Sequence, residues 1–106
     1  MARYLLNSAV ITAPGVYKYT LVPPEEAAEW IRQGGWESRI GYSQTADWIE
    51  QLAGIRPPLS REASPMQLGD EALVVRLKYR VTDPSQKGAV AVGPDDWEYG
   101  ILRRIL

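Results

Sequence analysis

Cysteine, histidine and phenylalanine are all absent from the 106 residues. Without cysteine there is no disulfide framework, no thiol nucleophile and no thiolate metal site. Without histidine there is no Ser-His triad, no imidazole acid or base, and no ordinary zinc centre. No metal and no cofactor are therefore expected. An excess of either charge is lacking too: 12 Lys+Arg stand against 13 Asp+Glu, a formal net charge of −1. That balance argues against a protein that coats duplex nucleic acid through bulk charge. No run approaches the ~20 apolar residues of a membrane span, and Met1-Ala2-Arg3 leads straight into a strand-like segment. Neither a span nor a signal peptide is expected, and the expected compartment is the cytoplasm.

What is present fits one small domain over residues 1–106. A hydrophobic share of 45% and a charged share of 24% are ordinary for a globular chain. Four Trp and six Tyr supply the aromatic part of a small core. A domain of this size buries only about 65% of its unfolded-chain surface, which makes a homodimer that hides more a reasonable expectation.

Tyr4 to Ile11 is mostly apolar and reads as a buried strand interrupted by Asn7 and Ser8. Val16 to Val22 suggests a second strand, joined to the first as an antiparallel pair by a Pro14-Gly15 turn. Pro23-Pro24-Glu25-Glu26 then opens a helix with acidic residues at the positive end of its dipole, and Gly34-Gly35 stop it. Trp36 to Gly41 reads as an extended connector. Ser43 is the expected N-cap of a second helix over Gln44 to Ala53, with Thr45, Trp48, Ile49 and Leu52 on one face. Gly54 ends it and Pro57-Pro58 forbid its continuation. Glu71 to Val81 is the clearest strand, Thr82 to Gly88 a polar loop, Ala89 to Val92 a short apolar piece, and Trp97 to Leu106 a final strand. The expected architecture is an α/β or α+β domain with a mixed sheet of about five strands flanked by two main helices.

Three features suggest chemistry. In the clearest strand, Arg76, Lys78 and Arg80 alternate with Val75, Leu77, Tyr79 and Val81. Three cations about 6.6 Å apart on one face suit phosphates, although a solvent-facing strand has the same pattern. Asn7 and Ser8 are polar groups in an apolar strand, where they need partners or meet a ligand at the strand end. Gly41-Tyr42-Ser43-Gln44-Thr45 opens the second helix, whose first backbone N–H groups favour anions. An ordinary helix cap with a packed tyrosine reads the same way. Neither a Walker pattern nor G-x-G-x-x-G is present. Asp95-Asp96 after Gly93-Pro94 reads as a solvated turn, Arg103 and Arg104 point to opposite faces, and Trp48 belongs to the core.

Taken in order, these segments resemble the small viral ring-nuclease family, the type III anti-CRISPR proteins. Its members share an opening Y-L-x-N strand followed by Ser or Ala. They share an I-G-H segment leading into T-A at the second helix, an arginine ahead of a G-D-x-A-L-V strand that reaches a further arginine, and a closing strand of the form E-[FY]-G-[IL]-L-x-R-I. The counterparts here are Tyr4-Leu5-Leu6-Asn7-Ser8, Ile40-Gly41-Tyr42-Ser43-Gln44-Thr45-Ala46, Arg61 through Gly69-Asp70-Glu71-Ala72-Leu73-Val74 to Arg80, and Glu98-Tyr99-Gly100-Ile101-Leu102-Arg103-Arg104-Ile105. Nearly the whole chain is covered.

The resemblance implies a homodimer that binds cyclic tetra-adenylate across its two-fold axis, in the host cytoplasm if the chain is viral, with no duplex nucleic acid or membrane as partner. Arg61, Arg76, Lys78 and Arg80 would meet phosphates, and Asn7, Ser8, Ser43 and Thr45 would contact the ring. Active relatives cut the ring without metal: a ribose 2′-hydroxyl attacks the adjacent phosphate while a histidine protonates the leaving oxygen. Tyr42 stands where that histidine would be, and Asp83 where relatives carry a carboxylate. Tyrosine is a weaker general acid, a role worth roughly 10²–10⁴-fold. The expectation is thus a cyclic oligoadenylate binder that lowers messenger levels by sequestration or slow cleavage. Two alternatives stand beside it: a fully active ring nuclease relying on Tyr42 or on Arg80 and Lys78, and a drifted scaffold that binds another cyclic nucleotide or a protein.

Overall fold

Neighbouring residues of a strand point to opposite faces of its sheet, yet Leu5 and Leu6 are both buried. Such a strand belongs in the interior of a sheet covered on both sides. In the computed structural model, which describes residues 2–8, 13–62, 65–78 and 96–106, this strand, β1 (Arg3–Leu6), lies between β3 (Glu37–Arg39) and β4 (Glu71–Leu77) and runs parallel to both. The sheet continues from β4 through β5 (Trp97–Arg104) to β2 (Tyr17–Leu21), both pairings antiparallel. The order is β2-β5-β4-β1-β3. This is the expected mixed five-stranded α+β sheet with two helices.

Two local expectations are overturned. The Pro14-Gly15 turn does not join an antiparallel pair, because β2 sits at the far edge of the sheet with Tyr19 opposite Leu102 of β5. A half-exposed alternation such as that of β2 suits an edge, whereas the doubly buried β1 takes parallel neighbours. The segment expected as a connector supplies β3, with Leu5 in register with Ser38. The closing strand ends at Arg104, short of the expected Leu106, and β4 is described to Leu77, the rest of the expected strand from 79 to 81 lying outside the described residues. Arg80, Asp83, the Thr82 to Gly88 loop and the Ala89 to Val92 piece lie outside the described residues.

The helices follow their local signals. α1 (Pro24–Arg32) has proline in its first turn, Glu25 and Glu26 at its positive end and Arg32 at its negative end. α2 (Ser43–Ala53) closes on Gly54, whose φ of 79° is the left-handed conformation that glycine adopts without strain. Its N-cap is Tyr42, not Ser43, and no side chain caps the first turn. No helix of the described residues is long and apolar enough to cross a membrane.

Both helices pack on one face of the sheet. Ala27, Trp30 and Ile31 of α1 and Ala46, Ile49 and Ala53 of α2 meet Leu5, Leu73, Val75, Trp97 and Tyr99. Trp48 stacks on Trp97 at 5.8 Å and donates to the Tyr99 hydroxyl at 2.8 Å. The opposite face carries a smaller cluster of Leu6, Met66, Ala72, Val74 and Leu102, bordered by Tyr4, Tyr17 and Tyr19.

Glu71 ties the two layers together at the N-terminal end of β4. It accepts the Trp30 indole N–H at 2.7 Å and a guanidinium bond from Arg103. Burial works to raise its carboxyl, but the bonds from Arg103 and Trp30 and the charges of Arg103 and Arg3 outweigh it, leaving the group below its ordinary value. A carboxyl lowered by folding stabilises the fold fully above its unfolded value, and that contribution drains as pH falls through the folded value. Glu71→Gln should therefore cost about 1–3 kcal/mol at pH 7. It should also flatten the loss of stability below about pH 4.5, the ordinary carboxyl value. Denaturant unfolding at pH 7 and pH 3 checks this; an acid limb as steep as that of wild type contradicts it.

Gly100 lies under the Tyr19 ring, where a Cβ would overlap the ring carbons. Gly100→Ala should lower stability by about 1–3 kcal/mol through displacement of Tyr19, measured by thermal unfolding. An unchanged melting temperature would show that the ring is not held there.

Candidate anion-binding site

Parallel alignment of β1, β3 and β4 brings three strand C-termini to one edge of the sheet, the position from which open α/β sheets present ligand-binding groups. Asn7 is the first residue past β1. Its Oδ1 accepts the Gly41 backbone N–H at 3.1 Å, joining the end of β1 to the bend between β3 and α2. A polar residue at the close of an apolar strand thus has a partner 34 positions away, and it fixes the entry to the helix.

Arg61 completes the junction. Its Nε donates to the Gly41 carbonyl at 3.4 Å, and its guanidinium carbon lies 5.5 Å from the centre of the Tyr42 ring. The arginine stem rests where a Gly41 side chain would be, since a Cβ there would fall 3.2 Å from Arg61 Cγ. Tyr42 is about half exposed, at 51%. The backbone N–H groups of Ser43, Gln44 and Thr45 precede the first intrahelical bond, from Ala46 N–H to the Tyr42 carbonyl. Cation, aromatic ring and helix N-terminus converge in one place, and anionic groups are the chemistry that such a set attracts.

The expected site residues divide by location. Asn7, Tyr42 and Arg61 are in mutual reach through Gly41. Ser8 and Ser43 are exposed beside this junction, whereas Thr45 is buried on the core side of α2. Lys78 lies one residue beyond β4, is exposed, and makes no ion pair with a described residue. Arg76 faces the side away from α1 and α2, where Glu98 of β5 holds it through Nε at 2.6 Å and a second nitrogen at 2.5 Å. The cation strip read from the sequence is therefore neutralised at Arg76 on the described strand. Arg103 and Arg104 do diverge, one to Glu71 and the other to the Met66 carbonyl at 2.8 Å.

Two contributors were not legible in the sequence: Glu98 acts as the counter-charge of Arg76, and Arg39 pairs with Glu37 at 2.9 Å beside the junction. Gly41, read only as part of the segment opening α2, acts as the joint of the site. Cross-strand register alone reveals Glu98, and no local pattern signals it. Beneath Arg76, the Tyr19 hydroxyl is buried without a hydrogen bond of good geometry to any described residue. Burial, reinforced by Glu98 and opposed by nearby Arg76, raises this phenol above its ordinary value.

Asn7→Ala leaves the Gly41 N–H without its acceptor. The expected result is a loss of about 1 kcal/mol in stability, with faster amide exchange at Gly41 than in wild type. Unchanged exchange at Gly41 would show that the amide does not fix this bend.

A family model described as STIV B116-like matches residues 3–94. The chain is 37% identical over 59 residues to the uncharacterized protein YddF of Bacillus subtilis (strain 168), a match covering 54% of this chain and 55% of that protein. It thus spans about half the length of that curated relative. The fold is similar to that of B116 of Sulfolobus turreted icosahedral virus (STIV). The TM-score is 0.75, over 98% of this chain and all of that one, at 16% sequence identity. The chain belongs to the STIV B116-like family.

Proposed function

We propose that two copies of this chain together bind one cyclic oligoadenylate, cyclic tetra-adenylate being the preferred ring. By sequestration or slow cleavage they would lower its free level and so counteract type III CRISPR signalling. The observation that carries this reading is the Asn7-Gly41-Tyr42-Arg61 junction at the C-terminal edge of the parallel strands. Its residues are those on which the resemblance to viral ring nucleases rests.

The chemistry supports binding more strongly than turnover. A ring of four nucleotides carries four phosphates, and an isologous dimer presents each of its cations twice, in keeping with the near two-fold symmetry of the ring. Arg61 stands ready as one such cation, Lys78 as another, and the first turn of α2 adds oriented N–H donors. Cleavage requires in-line placement of a 2′-hydroxyl and protonation of a poor leaving group. Placement alone gives some rate. With tyrosine at position 42 and no histidine in the chain, the second requirement is poorly met near neutral pH.

Calorimetry with cyclic tetra-adenylate should give one ring per two chains, with affinity reduced at least tenfold by Arg61→Ala. Limiting protein in excess ring should clear about one ring per two chains rapidly and little more. Multiple fast turnovers abolished by Tyr42→Phe would replace sequestration with an active nuclease. No binding to any cyclic oligonucleotide would favour a protein partner for the scaffold. Tyr42→His should raise the single-turnover cleavage rate, by as much as about 10²-fold.

A further inference from the structure

The segment that carries Arg61 is not a free loop. Pro57 is fully buried, and from Pro58 to Glu62 the chain runs alongside β3 as a strap fastened at successive points. Ser38 Oγ donates to the Pro58 carbonyl at 2.6 Å. Ile40 and Leu59 form a parallel bridge, and the Ser60 N–H reaches the Ile40 carbonyl at 2.9 Å. Arg61 Nε then bonds the Gly41 carbonyl, while Glu62 lies 3.8 Å from the Arg39 guanidinium. Each fastening involves β3 or the bend that follows it, so the strap and the start of α2 form one unit.

Ser38 is the first fastening along the strap. It is a buried polar residue, 6% exposed, and its hydroxyl has two partners: it donates to Pro58 and accepts the Ile40 N–H at 3.3 Å. One oxygen therefore ties the beginning of the strap to the backbone that turns into Gly41 and Tyr42. A buried hydroxyl with both functions satisfied holds its neighbours to a fixed spacing, and its removal leaves the Pro58 carbonyl without that donor.

We infer that Ser38 is a positioning residue: through the Pro58–Glu62 strap it sets Arg61 over Tyr42 and so tunes the affinity of the junction for a phosphodiester. The inference deepens the functional reading above and rests on it for the ligand, but not for the placement of Arg61. Without the Ser38 bond the strap keeps its bridge to Ile40 but loses its fixed start. Arg61, three residues further on, then samples positions away from the ring. A long arginine ordered in advance loses less freedom on binding than one that must be ordered by the ligand.

Two measurements test this with separate failures. In the ligand-free protein, nuclear Overhauser contacts between the Arg61 side chain and the Tyr42 ring should be present in wild type, lost in Ser38→Ala and restored in Ser38→Thr. Contacts that persist in Ser38→Ala overturn the inference whatever the ligand proves to be. With cyclic tetra-adenylate as the probe, Ser38→Ala should weaken binding about three- to tenfold, the effect of one hydrogen bond. In an Arg61→Ala background the same change should weaken it less than about twofold, since coupled residues are not additive. An equal loss in both backgrounds means that Ser38 acts only on the stability of the fold, and overturns the inference. A wild type that shows the Arg61–Tyr42 contacts yet binds no ring refutes the functional reading alone.

Discussion

The parallel register of β1 between β3 and β4 is the constraint on which the rest of the structure depends. It places Leu5 beside both Ser38 and Leu73, and Leu6 beside Arg39 and Val74, so that three strands end together. A slip of one residue would exchange every side chain between the two faces, exposing Leu5 to the smaller cluster and aiming Asn7 away from Gly41. Burial of both leucines makes the register costly to change: each fully buried side chain of this size contributes about 1.5–3 kcal/mol. The hydrogen bond from Gly41 to Asn7 is a consequence of that register, and the junction with Tyr42 and Arg61 follows from the bond.

Charge in this small molecule is spent mostly on its own architecture. Arg103 secures Glu71, Arg76 is held by Glu98, Arg39 by Glu37, and Arg56 by Asp47. Arg61 and Lys78, by contrast, make no ion pair with a described residue, and Arg61 is packed against an aromatic ring instead. Arginine on an aromatic face keeps its forked donors directed outward while its stem is fixed, which suits recognition of a phosphate from solution. With a net charge of only −1 over the whole chain, local placement rather than bulk potential has to give such a site its preference for anions.

Much of the fold was legible because its signals are local. Pro24, Glu25 and Glu26 mark the start of α1, Gly34 lies just past its end, and Gly54 ends α2 in the left-handed conformation. Trp48 at helical spacing is packed with the core as its spacing implied. Strand pairing was not legible, since a short sequence does not reveal which edge meets which. The Pro14-Gly15 turn resembled a hairpin only because pairing information lies elsewhere, in β5, more than 75 positions along the chain. The same limit applies to the site. Asn7, Tyr42 and Arg61 were singled out by residue type and resemblance, yet nothing in their spacing places Gly41 between all three. The alternation along β4 gave the face of Arg76 correctly, but Glu98, 22 positions away, decides what Arg76 is available to do.

Where the ring lands is the most direct test of the proposed role for this edge of the sheet. Amide chemical shifts should be followed while cyclic tetra-adenylate is added to the labelled protein. Changes should concentrate at Asn7, Gly41, Tyr42, Ser43 and Arg61, on slow exchange, and saturate at half an equivalent of ring per chain. Shifts confined to α1 or the β2 edge, or none at all, would contradict a phosphodiester site at the joined ends of β1 and β3.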